Sequence, residues 1–132
     1  MSDVKAIRYL LANNASLTAV VPAAKIVAGL IQQGTVLPAI AVNHISTVRR
    51  QTVTKETKVF CTSRVQVTVM ATSYAAQKAI LALVRTALPR TSGVVNNVEV
   101  DNILPDNDSP DFRDDEIGAF MQSMDFIITH NE

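Results

Sequence analysis

In RVQVTVMAT (residues 64–72) apolar and polar side chains change places at every step. An extended chain puts Val65, Val67, Val69 and Ala71 on one side and Arg64, Gln66, Thr68 and Met70 on the other. A strand of this kind packs one face and presents the other to solvent or to a neighbour. Upstream, AIAVNHISTV (39–48) carries the same period, with Ile40 and Val42 on one face and Val48 as a further member of it. Downstream, Ser73 is placed to cap a helix over YAAQKAILALVRTAL (74–88), whose apolar stripe is Ala76, Ile80, Leu83, Val84 and Ala87 and which Pro89 ends.

The same rules extend to both ends of the chain. Val4, Ile7, Leu10 and Leu11 recur at spacings of three and four, predicting an amphipathic helix over residues 3–13 with Ser2 as its cap and an end near Asn13 and Asn14. SLTAVV (16–21) is a further short helical turn that Pro22 stops, and KIVAGL (25–30) is a short strand followed by a loop at Gly29 and Gly34. Two extended segments close the chain. NVEVDNIL (97–104) aligns Val98, Val100 and Ile103, and AFMQSMDFIIT (119–129) aligns Phe120, Met124, Phe126 and Ile128.

Between the first two long strands lies RRQTVTKETKVFCTS (49–63), rich in Thr and Val and nearly symmetric about Glu56, as a two-stranded arm requires. The predicted order is helix, strand, strand, arm, strand, helix, strand, strand. That order defines an α+β fold, with a mostly antiparallel sheet, two helices packed on it and a protruding β-hairpin arm. A chain of 132 residues and 14.3 kDa fits one domain spanning residues 1–132.

Composition narrows the function. Charged residues make up 18% of the chain, against about 25% in an average soluble domain, which favours surface buried in an oligomer. The net charge of zero removes any whole-molecule attraction to nucleic acid or acidic membranes. Cys61 is the only cysteine, so an internal disulfide and a cysteine zinc cage are both excluded. Residues 26–48 lack Asp, Glu, Lys and Arg, but Gln32, Gln33, Gly34, Pro38, Asn43 and His44 interrupt them, so a membrane span is not expected. Residues 5–24 imitate a signal peptide only until Asn13 and Asn14 split the apolar run.

Chemistry has few candidates. The glycines stand alone, so no loop cradles a phosphate, and His44 and His130 lie in no ligand or nucleophile motif. No enzyme activity and no cofactor are expected. The conspicuous feature is DNDSPDFRDDE (106–116), which holds six of the twelve acidic residues: Asp106, Asp108, Asp111, Asp114, Asp115 and Glu116. As a calcium loop it puts Pro110 at the third ligand, Asp111 where a glycine belongs and Phe112 at the backbone ligand, so weak binding at millimolar Ca²⁺ is all that survives. The segment, about residues 105–117, is expected to be a polar loop joining the last two strands.

Counting Arg113, that segment sums to −5, while residues 49–64, with Arg49, Arg50, Lys55, Lys58, Arg64 and Glu56, sum to +4. Opposite patches of similar size on a neutral chain fit a contact between subunits. They fit two solvated tips at opposite ends of a sheet equally well.

In its order of elements the sequence resembles the tail-completion, or tail terminator, proteins of long-tailed bacteriophages. The likeness runs through AIRYLLANNASLTAVV, LPAIAVNHIS with the polar arm after it, RVQVTVMATSYAAQKAILALVRTAL, and an acidic stretch followed by Ser123, Asp125, Phe126 and Ile128 in an S-x-D-F-x-I pattern. The resemblance implies a structural virion protein assembled in the host cytoplasm. It would form a ring, a homo-hexamer, at the head-proximal end of the tail. Such a ring ends tail-tube polymerisation and offers a surface to the head-completion or connector protein, while DNA passes through its lumen without specific binding. The partners implied are the tail tube protein and the head-side protein, with no membrane. A head-completion or neck adaptor ring, and a weakly calcium-binding interaction module, are the alternatives.

Overall fold

The computed structural model describes residues 2–29, 37–49, 60–88, 93–95, 97–114 and 118–131. Its centre is a seven-stranded sheet. In chain order the strands are β1 (Ile26–Ala28), β2 (Ala39–Arg49), β3 (Phe60–Ala71), β4 (Gly93–Val95), β5 (Val98–Asp108), β6 (Phe112–Asp114) and β7 (Ala119–Asn131). Across the sheet the order is β1-β2-β3-β7-β5-β4, and β6 also pairs with β7. Only β1 and β2 run parallel; every other pairing is antiparallel. This is the α+β, mostly antiparallel fold expected. The arm's tip, residues 50–59, lies outside the described residues, but the register of Arg49 opposite Cys61 makes β2 and β3 the two arms of one long hairpin.

The alternation in residues 64–72 sorts as its chemistry requires. Val65, Val67, Val69 and Ala71 are buried, while Arg64, Gln66, Thr68 and Met70 are half-exposed. Met124, Phe126 and Ile128 of β7 and Val98, Val100 and Ile103 of β5 join the same buried face. Three helices, α1 (Ser2–Ala12), α2 (Ala15–Thr18) and α3 (Tyr74–Ala87), supply the other half of this core. Val4, Ile7 and Leu11 come from α1, Leu17 from α2, and Ile80, Leu81 and Val84 from α3. All three cover one face of the sheet; the opposite face carries Met70, Met121, Thr68, Ser123, Arg64 and Asp125.

Helix ends follow local hydrogen bonding. Ser73 Oγ accepts the Ala76 N–H at 3.2 Å and starts α3. Asn14, expected only to mark the end of the first helix, caps the next one, its Oδ1 accepting the Leu17 N–H at 3.0 Å. Arg8 Nε donates to the Ile26 carbonyl at 2.8 Å and ties α1 to β1. Before β7 the chain turns at Gly118, whose φ of 65° suits a residue without a Cβ.

Two expectations need correction. Val48 does not share the face of Ile40 and Val42: the ladder shifts between His44 and Ser46, a bulge at Ile45 that turns Val48 to the outer face, where it is 64% exposed. The acidic segment is not a loop either. Asp106 and Asp108 belong to β5, Phe112–Asp114 form β6, and both strands lie one after the other along the same edge of β7. Thr-poor and Pro-containing, the stretch gave no strand signal, yet β7 extends far enough to hold it in register.

One core position is electrostatically unsettled. Gln77 on α3 is fully buried, and among the described residues neither atom of its side-chain amide has a hydrogen-bond partner. An amide left unpaired in an apolar core costs about 1–3 kcal/mol. Gln77→Met keeps the unbranched shape and is expected to raise the unfolding free energy by a similar amount, about 1–3 kcal/mol. Urea denaturation measures it, and an unchanged or lower midpoint would show that the amide is engaged.

Candidate assembly surfaces

In the described part of the acidic segment, Asp106, Asp108 and Asp111 each meet a different cation. On the outer face Arg64 Nη1 donates to Asp106 Oδ2 and, at 3.1 Å, to Asp125 Oδ2. These two carboxylates raise the already high pKa of the guanidinium, the hydrogen bond to Asp106 most of all. On the helix side Lys78 Nζ donates to Asp111 Oδ1 at 2.7 Å and to Gln122 Oε1 at 2.6 Å, and Tyr74 Oη donates to Asp111 Oδ2 at 3.0 Å. Arg85 lies 4.0 Å from Asp108. Aromatic contacts reinforce this end of the sheet: Tyr74 meets Phe120 edge to face at 6.4 Å, and the Arg113 guanidinium lies 5.2 Å from the Phe120 ring centre.

The first-to-last placement of the candidate residues is therefore mixed. Arg64, expected in the basic arm, sits in β3 and is brought together with Asp106 of its own chain. Arg49 ends β2 and is exposed. Arg50, Lys55 and Lys58 lie outside the described residues, as do Asp115 and Glu116; of Asp114 the backbone is placed, at the end of β6. Asp106, Asp108 and Asp111 turn to three different cations, and among the described residues no three His, Cys, Asp or Glu side chains gather as a metal-binding group.

Asp111 and Lys78 carry a testable pH signature. The hydrogen bond from Lys78, then that from Tyr74, holds the Asp111 carboxyl below its ordinary range, and Asp111 in turn raises Lys78. A depressed carboxyl stabilises the fold above its unfolded pKa and loses that contribution as pH falls through the folded value. A raised lysine loses its share only as alkaline pH passes its own folded value, so the contact is constant around neutrality. In Lys78→Met, the Asp111 titration followed by NMR at its carboxyl carbon is expected to move upward, back toward the ordinary carboxylate range. An unshifted titration would mean that Lys78 does not hold it.

A second polar chain runs from buried Asp3 through the exposed His44 to buried Ser63 and His130. His44 Nδ1 pairs with the buried Asp3 carboxylate, Thr47 Oγ1 lies 3.5 Å from His44 Nε2 and 3.0 Å from Ser63 Oγ, and Ser63 Oγ lies 2.8 Å from Nε2 of His130, which is 3% exposed. The Asp-His-hydroxyl order invites comparison with a nucleophile relay. However, the Thr47 contact is at the outer limit of hydrogen bonding, and its hydroxyl is already engaged by Ser63. The chain accounts for buried polar groups and fastens the first turn of α1 to β2, β3 and β7. Sequence spacing could not find it, because Asp3, His44, Ser63 and His130 meet only across three strands.

The helices cover one face of the sheet, and the other face is a mixed surface of Met70, Met121, Thr68 and Ser123 with the Arg64, Asp106 and Asp125 charges held in place along its strands. The sequence model of the family described as tail completion protein gp17 matches residues 5–130, and the chain belongs to that family. It is a phage tail-completion protein, a structural component of the virion tail. Among solved structures the fold is similar to a chain described as the virion of a native gene transfer agent particle. The TM-score is 0.68 at 16% identity, over 96% of this chain and 92% of that one. Comparison with curated proteins returns no match. No described helix is long and apolar enough to cross a membrane.

Proposed function

We propose that this protein acts as one domain that closes into a homo-hexameric ring at the head-proximal end of the tail. There it halts growth of the tail tube and presents the surface that the head-completion or connector protein meets. Membership of the tail completion family over nearly the whole chain carries this proposal. The low charge content supports it, since a ring subunit buries two lateral and two axial faces. The role is mechanical: no catalytic step and no cofactor is involved, and DNA crosses the lumen without specific binding.

In the ring, the basic arm with Arg49, Arg50, Lys55, Lys58 and Arg64 faces a neighbouring subunit or the tube. The segment with Asp106, Asp108, Asp111, Asp114, Asp115 and Glu116 faces a neighbour or the head side. Exposed ion pairs contribute only about 0–1 kcal/mol each, so apolar lateral burial supplies the affinity, and the charges set register and encounter rate. Because Arg64 already binds Asp106 within the chain, its part is to hold the acidic strand in place for that contact. Mass photometry of the purified protein tests the ring: a dominant species at six times the 14.3 kDa subunit is expected. A lone monomer at micromolar concentration would overturn it.

A further inference from the structure

On each of the long strands β2 and β5 the sheet leaves a stretch of edge without a strand partner among the described residues. β1 covers β2 only at Ile40–Val42, so residues 43–49 have β3 on one side and no described strand on the other. β4 covers β5 only at Val98–Val100, so residues 101–108 are in the same position at the far side. An uncovered strand edge is a row of N–H and C=O groups ready to pair with another chain.

These two edges match each other. Following the registers across β3 and β7, Asn43 is level with Gln66, Asp125 and Asn107; Ser46 with Arg64, Ile127 and Leu104; and Val48 with Thr62, Thr129 and Asn102. Over residues 43–48 and 102–107 the two open edges therefore occupy the same height of the sheet, while Arg49 is level with Val100 and Asp108 with Val42, positions that β4 and β1 cover. Three successive antiparallel pairings also make β2 and β5 run in opposite directions. A rotation about an axis along the strands keeps strand direction and height. It brings the β5 edge of one copy onto the β2 edge of the next as an antiparallel ladder, with no slide along the axis.

Charge selects the same pairing. The β5 edge carries Asp101 together with Asp106 and Asp108, which Arg64 and Arg85 meet from their own chain, whereas residues 43–49 of the β2 edge include Arg49 and no acid. Two β5 edges would set carboxylates against each other, while unlike edges attract. The β2 edge also exposes Ile45 (48%) and Val48 (64%), apolar surface that a second copy would cover.

We infer that neighbouring subunits join by strand pairing between residues 43–48 of one copy and residues 102–107 of the next, so that the sheet runs on from subunit to subunit. The inference rests on the ring proposed above and names its lateral contact. Such a head-to-tail contact closes by rotation and covers the open stretches of β2 and β5 at once.

Paired cysteines test it in the full chain. Val48→Cys combined with Asn102→Cys, and Val48→Cys combined with Leu104→Cys, cover the level register and a two-residue slide that keeps the same face. Within one subunit the two positions are three strand spacings apart, about 14 Å, beyond the roughly 7 Å a disulfide spans, so only a neighbour can complete the bond. Mild oxidation is expected to give a non-reducing ladder of covalent multiples for at least one pair and monomer for each single variant. Hydrogen exchange on the unsubstituted chain is the second readout: amides of residues 43–48 and 102–107 are expected to gain protection on assembly relative to diluted subunits. Rings of the expected mass with no ladder and no gained protection overturn the strand pairing and leave the ring standing. Absence of any ring in the unsubstituted chain overturns both.

Discussion

Phe126→Ala is expected to lower the unfolding free energy by about 3–5 kcal/mol, a large share of the roughly 5–15 kcal/mol that holds a domain of this size. Phe126 is fully buried on β7, between Val65 of β3 and Pro105 of β5, in the core that α1 and α3 cover. Removing the ring deletes its transfer energy and leaves a cavity in the middle of the sheet, where flanking strands on both sides prevent collapse. Phe112 is the control: it lies on β6 and is 60% exposed. Phe112→Ala is expected to stay within about 0.5 kcal/mol of the parent. Urea denaturation of both variants is the measurement, and a loss under about 1 kcal/mol at Phe126 would contradict the packing described.

The second large effect falls on assembly. Arg49, Arg50, Lys55 and Lys58 replaced together by Glu turn a segment summing to +4 into one summing to −4. Wherever that arm meets an acidic edge, attraction becomes repulsion. With up to about 1 kcal/mol for each exposed pair, the concentration for half-assembly is expected to rise tenfold or more. Added salt should recover part of the loss by screening. Arg49 is exposed at the end of β2, and an unchanged far-UV spectrum is the control that the variant keeps its fold. Light scattering is the readout, and rings of unchanged size at unchanged concentration would remove the arm from the contact.

The strands that build the core were legible because burial imposes a period of two on them. Val65, Val67 and Val69, and Met124, Phe126 and Ile128, announce their inward faces without knowledge of their neighbours. What escaped is set by non-local pairing. The bulge at Ile45 reverses the side on which Val48 lies, and nothing in STVR signals it. Asp106 and Asp108 adopt strand geometry because β7 is beside them, not because Asp, Asn and Pro prefer it. At the candidate surfaces, the concentration of acids in residues 106–116 was plain. Lys78 went unnoticed as their partner, since it looks like an ordinary solvated position on α3 until the fold carries Asp111 to within 2.7 Å of it. The link from Asp3 through His44 to His130 is hidden for the same reason.

If, as proposed, this tail-completion protein ends the tail tube and makes it joinable to a head, its loss has a visible consequence. Electron microscopy of particles assembled with and without the protein tests this most directly. Without it, tails are expected to be headless and unregulated in length, and adding the purified protein during assembly should restore tails of uniform length bearing a ring at one end. Tails of normal length that join heads in its absence would contradict the claim.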